Sequence, residues 1–483
     1  MKLIKGISVL SAAVLLAACG SDDDDDNGPA PGSNAPSTYT FESVVDSQES
    51  AVSYSGQVAR QALINELKKY IADDAFQNGG LSQAAALGEL NRIYAAGTTD
   101  VVGNLTAVNI YTGGDEATPV GVSLKTDGAT LVQDTYAELS GDKNLLGKTA
   151  GVDNALTLDE FIGWDIDAIA VPGKADATGE RSKPYALIQE WFESAAALAG
   201  DGNSSTDYVD TTNALDYSQL IQKFLLGSVT YSQAAEDYLK ADKGLLKQNS
   251  EADKEGKPYT SLEHQWDEGF GYFGAARDYN NYTDAENKAQ QDNDTNSDGE
   301  IDLNAEYSFG NSVNAVKRDV GSAEFTATDF SKNAMDAFLK GRQIIQDNFG
   351  TDPVAGEGYH VDLVEQAGIA LENWEKAIAA TVVHYINDTR GDLAKVGTVD
   401  FDAAAVRSLA KHWGEMKGFA LGLQFSPITK FAEADQVKMH ELMGEKPVFD
   451  TKANADAYAA ELLEARAIIA EAYDFADDNV ANW

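Results

Sequence analysis

The densest set of oxygen ligands in the chain is the run Asp292-Asn-Asp-Thr-Asn-Ser-Asp-Gly-Glu-Ile-Asp-Leu-Asn-Ala-Glu306. Counted from Asp294, side-chain oxygens fall at positions 1, 3 and 5, as Asp294, Asn296 and Asp298. Gly299 takes position 6, Ile301 position 8 and Asp302 position 9. That is the spacing of a calcium loop. Calcium takes roughly six to eight hard oxygens, and alternating residues of a tight turn point inward, with the backbone carbonyl of Glu300 completing the series. Position 12 departs from the pattern: Ala305 stands where a bidentate glutamate belongs, Glu306 follows one residue late, and Asp292 is a further oxygen source. The alternative is a solvated Asp/Asn turn that binds nothing.

Histidines paired with acids offer a second chemistry. The stretch 262–277 reads Leu-Glu-His-Gln-Trp-Asp-Glu-Gly-Phe-Gly-Tyr-Phe-Gly-Ala-Ala-Arg, and 411–425 echoes it. Aligning Trp266 with Trp413 places Glu268 on Glu415, Gly271 on Gly418 and Tyr272 on Phe419, while His412 falls opposite Gln265. His264 and Asp267 are three residues apart, as are His412 and Glu415, so on a helix each pair shares a face. An imidazole and a carboxylate from each of two helices form a cage suited to iron or zinc. The competing reading has these histidines bonded inside a polar core, with Trp266 and Trp413 packed beside them. His360, in Gly358-Tyr-His-Val-Asp-Leu-Val-Glu365, heads a third cluster. The transition-metal candidates are therefore His264, Asp267, Glu268, His360, His412 and Glu415.

No residue is assigned a catalytic role. A serine-nucleophile elbow, a His-Glu-x-x-His pair and a phosphate loop are all missing from the sequence. Gly269-Phe-Gly271 follows no strand pattern, so it is not a dinucleotide fingerprint. Those glycines read instead as close-approach positions, with Phe270, Tyr272 and Phe273 packed in the core.

Helices must position these residues. Apolar side chains recur at helical spacing over 54–73, 81–95 and 184–199, and again around Leu220, Phe224, Tyr231 and Tyr238, with Gly227 as a break. Further helices are expected from Ser261, over 330–345, and from Leu363 to Tyr385 with a stop near 387–391. The last two are expected over 403–425 and 462–473. No convincing helix precedes the acidic loop. The span 97–183 carries no helical stripe and reads as a long irregular insertion with a short strand near 120–124. The fold class expected is all-α: two antiparallel helical bundles, 39–290 and 307–483, joined by the loop 292–306.

Lys2 and Lys5, the short apolar run from Ile7 to Ala18, and Leu16-Ala-Ala-Cys19 fit a lipoprotein signal peptide over 1–18 with Cys19 as the acylated residue. Cys19 is the only cysteine, so no internal disulfide forms. Acyl chains anchor durably without a transmembrane helix. Residues 19–38, rich in Asp, Gly, Pro and Ser, read as a disordered acidic tether. Gly20 after the cysteine favours the bacterial outer membrane within the cell envelope. Acids outnumber bases 78 to 36, a formal charge of −42, which repels phosphate backbones and excludes nucleic acid as a partner.

The segments around Tyr54-Ser-Gly-Gln57, Trp266 to Gly274 and His412 to Leu421 resemble an uncharacterised family of bacterial envelope lipoproteins, a domain of unknown function. The architecture is also similar to the imelysin-like proteins, two-bundle helical envelope proteins linked to iron uptake and carrying a Gly-x-His-x-x-Glu motif. Gly358 and His360 match that motif; Leu363 stands at the glutamate position, and Glu365 follows two residues later. The resemblance implies a non-enzymatic binding lipoprotein in iron or haem acquisition. The residues alone leave a second reading open: a calcium-stabilised structural module that binds an outer-membrane or periplasmic protein, or a glycan. A metallohydrolase is third, since no general base sits in a complete zinc motif.

Overall fold

The computed structural model describes residues 31–46, 50–72, 82–95, 130–133, 136–200, 208–290 and 294–483. The signal peptide, Cys19, Asp292, most of the tether, and residues 97–129 with the strand expected near 120–124 lie outside these.

Helices dominate, as their apolar spacing requires. In chain order they are α1 (Ser55–Ile71), α2 (Gln83–Tyr94), α3 (Tyr136–Leu139), α4 (Lys183–Gly200), α5 (Tyr217–Leu225), α6 (Ser261–Phe273) and α7 (Asp284–Ala289). There follow α8 (Gly310–Asp319), α9 (Phe330–Asp347), α10 (Tyr359–Leu393), α11 (Ala403–Gly422), α12 (Glu433–Met443), α13 (Lys452–Tyr473) and α14 (Asp477–Asn482). The strands are two-residue pieces: β1 (Thr130–Leu131) pairs in parallel with β4 (Glu300–Ile301), and β2 (Val209–Asp210) pairs antiparallel with β3 (Leu215–Asp216). Among the described residues no helix is long and apolar enough to cross a membrane.

Local chemistry sets the ends of the key helices. Thr260 and Glu263 form a reciprocal capping box that starts α6, and Gly274, at φ 84°, ends it. Asp402 caps α11 by accepting from the N–H groups of Ala404 and Ala405. Gly227, expected as a break, breaks nothing. The helix runs on from α5 through π-type turns at Leu226–Tyr231 and Ala234–Tyr238. Gly227 is needed there because a Cβ would lie 2.5 Å from Gly422 Cα, so two backbones meet at that point.

The stop expected near 387–391 lies within two residues of the observed end, since α10 runs to Leu393. Its polar side chains find tertiary partners instead of competing for their own backbone. Asn387 donates to the Val480 and Trp483 carbonyls at 3.1 and 3.3 Å, and Arg390 to the Ala459 carbonyl at 3.0 Å.

α10 packs against α8, α9, α11 and α13, while α11 packs on α5 and α9 on α6. Helices from either side of the acidic loop thus lie against each other. Buried apolar side chains from Tyr39 to Trp483 form one continuous cluster. The irregular span after α3 drapes over the π-type turns: Ala150 N–H donates to the Ser228 carbonyl at 2.6 Å, and Asn154 donates to Ser232 Oγ at 2.9 Å.

Candidate functional site

The acidic loop folds as a closed turn. Asp294 accepts from the N–H groups of Asp298 at 3.0 Å and Gly299 at 2.7 Å. Asn296 Oδ1 accepts from Asp298 N–H at 2.9 Å, and Asp298 Oδ1 from Glu300 N–H at 2.9 Å. Gly299 sits at φ 89°, the left-handed conformation that the sharp turn at position 6 requires. Ile301, buried, pairs with Leu131. Glu306 reaches back across the loop: its two oxygens accept from Thr295 N–H at 3.0 Å and Asp302 N–H at 2.8 Å. Asp302 Oδ1 accepts from Gln133 Nε2 at 2.7 Å and Asn304 N–H at 2.9 Å. The loop thus ties itself to β1. Helix α7, not expected from the sequence, precedes it, begun by a Thr283–Glu286 capping box.

The histidine and acid candidates do not converge. Among the described residues no group of three or more His, Cys, Asp or Glu side chains is placed to hold a metal ion. The expected seam between the histidine-bearing helices is therefore corrected to separate networks. His264 Nδ1 lies 3.0 Å from the Ser53 carbonyl, and its ring stacks on Tyr259 at 4.7 Å. Glu268 accepts from Gln57 Nε2 at 2.8 Å. Asp267 is fully buried and accepts from Tyr39 Oη at 2.8 Å, Ser53 N–H at 3.0 Å and Arg342 Nε at 2.9 Å. A carboxylate with three donors, one of them a guanidinium, has no call for a cation.

His360 uses both ring nitrogens: Nδ1 accepts from Gly356 N–H at 3.1 Å, and Nε2 lies 2.9 Å from the Ala241 carbonyl. His412 Nδ1 is 2.7 Å from Asp392 Oδ2, and its Nε2 is 3.8 Å from Asp388 Oδ2, which also meets His384 Nε2 at 3.4 Å. The spacing His384-x-x-x-Asp388-x-x-x-Asp392 was the available signal for this face; it is hidden once the helix is stopped at 387–391. Trp266 and Trp413, the two anchors of the echo, are core residues. The Trp266 indole donates to the Phe338 carbonyl at 2.9 Å and the Trp413 indole to Tyr458 Oη at 2.7 Å.

Glu415 sits among cations. Burial pushes its carboxyl up, but Lys223, Lys411 and Lys68 outweigh burial and hold it below the usual glutamate range. Those ammonium groups would repel a metal ion, which removes Glu415 as its ligand.

A family model described as Domain of unknown function (DUF4856) matches residues 189–476. The chain belongs to that family. The matched segment crosses the acidic loop and carries both echoing helices. No curated protein and no solved structure matches the chain.

Within the family segment, Lys417 has lost its solvent altogether. It is wholly buried on α11, with Nζ 3.2 Å from His440 Nδ1, and burial pushes it down to about 7. Its folded value lies below its unfolded one, so the native state binds its proton less readily. The fold bears the full penalty at pH values below 7, and the penalty fades as pH rises toward the ordinary lysine range. Lys417→Met is therefore expected to be more stable than the parent in urea unfolding at mildly acid pH. The gap should close at alkaline pH; a gap that widens there would contradict the assignment.

Proposed function

We propose that the protein is an envelope-tethered, non-enzymatic interaction module whose loop 294–306 is stiffened by calcium. Cys19 is the acylated tether, the outer membrane the surface that holds it, and an outer-membrane or periplasmic protein the partner. The observation behind this reading is the closed acidic turn, in which Asp294 holds the N–H groups of Asp298 and Gly299.

The donor set suits a hard cation and no soft one. The side chains of Asp294, Asn296 and Asp298 and the carbonyl of Glu300 would hold the ion. Glu306, whose two oxygens take the Thr295 and Asp302 N–H groups as those of Asp294 take the Asp298 and Gly299 N–H groups, closes the ends of the loop. Calcium would offset the mutual repulsion of these acids and fix the turn between α7 and α8, with β1 held at its side. Iron or haem binding is not part of this reading, because among the described residues the six expected to provide it are not brought together.

Thermal unfolding with calcium and with a chelator tests the stiffening. An ion that binds only the folded state stabilises it by about 2.7 kcal/mol at about 100 times its dissociation constant. The midpoint is therefore expected to rise with calcium and to fall back with chelator. A midpoint indifferent to both counts against the proposal.

A further inference from the structure

The core-facing positions of α10 carry Leu371, Trp374, Ile378 and Val382, yet Glu375 is buried among them, 3% exposed. Three hydroxyls from three other segments converge on its carboxylate. Tyr231 Oη donates to Oε2 at 2.6 Å, while Tyr473 Oη and Thr429 Oγ1 donate to Oε1 at 2.7 and 2.5 Å. Tyr231 closes the first π-type turn, a rare conformation that recurs at functional sites. Burial pushes the Glu375 carboxyl up, and the hydroxyls of Thr429, Tyr231, Tyr473 and Ser426 oppose that rise. No lysine, arginine or histidine pairs with it among the described residues. The carboxylate is therefore met in hydrogen bonds but not in charge. Each hydroxyl gives its one proton to Glu375, so its oxygen has only lone pairs left to offer.

Glu375 and Tyr473, both buried, border a cavity of about 240 Å³. At the ~30 Å³ that a water takes in the liquid, this is room for about eight waters, or for a molecule of roughly six to ten non-hydrogen atoms. Asp474, next to Tyr473 in the chain, also borders it, and Ile428 and Ala472 give it an apolar wall.

The solvent-facing end of the same cavity is basic. Lys376 Nζ and Lys430 Nζ both lie 2.8 Å from one oxygen, Oε1 of Glu372, and the Lys430 side chain is 62% exposed. One lysine suffices to pair with one carboxylate, so the second leaves this end with a net positive charge. Each ammonium carries three N–H donors and gives one to Glu372, which leaves donors on both for a second anion.

A structural hub accounts for the hydroxyls around Glu375. It does not account for an open cavity beside them with an acceptor-only anionic end and a donor-rich cationic end. Poles of opposite sign in one small space are complementary to a molecule that carries both charges.

We propose that this cavity binds a small zwitterion of the amino-acid class. Its ammonium meets Glu375 and the Tyr473 hydroxyl oxygen, its carboxylate meets Lys376 and Lys430, and its side chain lies against Ile428 and Ala472. The site lies within the family segment 189–476. It is separate from the acidic loop and does not depend on calcium.

Calorimetric titration of the full chain at neutral pH with L-valine, isobutylamine and isovalerate tests this. The amine lacks the carboxylate of valine and the acid lacks its ammonium, with the same branched end kept in both. Valine is expected to bind saturably, and each of the other two at least about tenfold more weakly, the scale of one lost charge-assisted contact. Lys430→Gln, on an exposed side chain, should weaken valine by about tenfold and leave isobutylamine unchanged. Glu375→Gln should weaken valine and isobutylamine alike.

The split between ligands separates binding from a structural role, because a variant that merely loosens the fold would weaken all three together. No saturable valine heat at millimolar concentrations overturns the site. Isobutylamine or isovalerate binding as tightly as valine overturns the two-pole assignment. Undiminished valine affinity in folded Lys430→Gln overturns the cationic end, whether or not Glu375→Gln folds.

Discussion

Arg342→Met is expected to cost the fold about 3–5 kcal/mol, the range for stripping the partner from a buried charge. Arg342 is fully buried on α9 and reaches two carboxylates of α6 that are equally enclosed: Nη1 meets Glu263 Oε1 at 2.8 Å and Nε meets Asp267 Oδ1 at 2.9 Å. Its guanidinium also lies over the Phe41 ring, 4.9 Å from the centre. Burial pushes the Asp267 carboxyl up, and Arg342 is the main force opposing that rise. Methionine keeps the apolar volume but leaves both acids without a counter-charge. A loss of this size is a large share of the roughly 5–15 kcal/mol that holds a typical domain together. Urea unfolding of parent and variant checks it. The triple variant Arg342→Met/Glu263→Gln/Asp267→Asn should recover much of the loss, because the uncompensated charges go with the arginine. A single-variant loss below about 1 kcal/mol would mean the triad is far more solvated than its burial indicates.

Gly341→Ala should damage the same helix pair by a different route. A Cβ at position 341 would lie 2.0 Å from Trp266 Cζ2 and 2.2 Å from Cη2, well inside contact distance. The ring cannot swing away without breaking its N–H bond to the Phe338 carbonyl, 2.9 Å long, so α6 and α9 must move apart. Overpacking of this kind costs typically about 1–3 kcal/mol, and here the movement also stretches the Arg342 contacts one residue along. Trp266→Phe in the Gly341→Ala background should return part of the lost stability, as coupled neighbours do not add. A Gly341→Ala midpoint equal to the parent's would show that the ring has room the geometry denies it.

How far these features could be read in advance depended on what carried them. The start of α6 near Ser261 was legible because the features that begin it are local; the Thr260–Glu263 box and the Gly274 stop come from the structure. The acidic loop was legible for the same reason, since every oxygen in it lies within a few residues of the next. The end of α10 was legible to within two residues from Asn387, Asp388 and Gly391. The contacts of Asn387 and Arg390 with the distant C-terminal region were not, because nothing near them in the chain announces those partners. The histidine seam failed on partnership. Spacing shows which residues share a face, but it does not reveal that Asp267 meets Arg342, or that Glu415 meets lysines from other helices.

The most direct measurement of the central claim is calcium titration of the chain by calorimetry, beside the Asp294→Asn/Asp298→Asn double variant. The account predicts saturable binding of one calcium ion by the parent and none by the variant, with both proteins folded. No calcium heat in the parent, or binding retained by the variant, would contradict it.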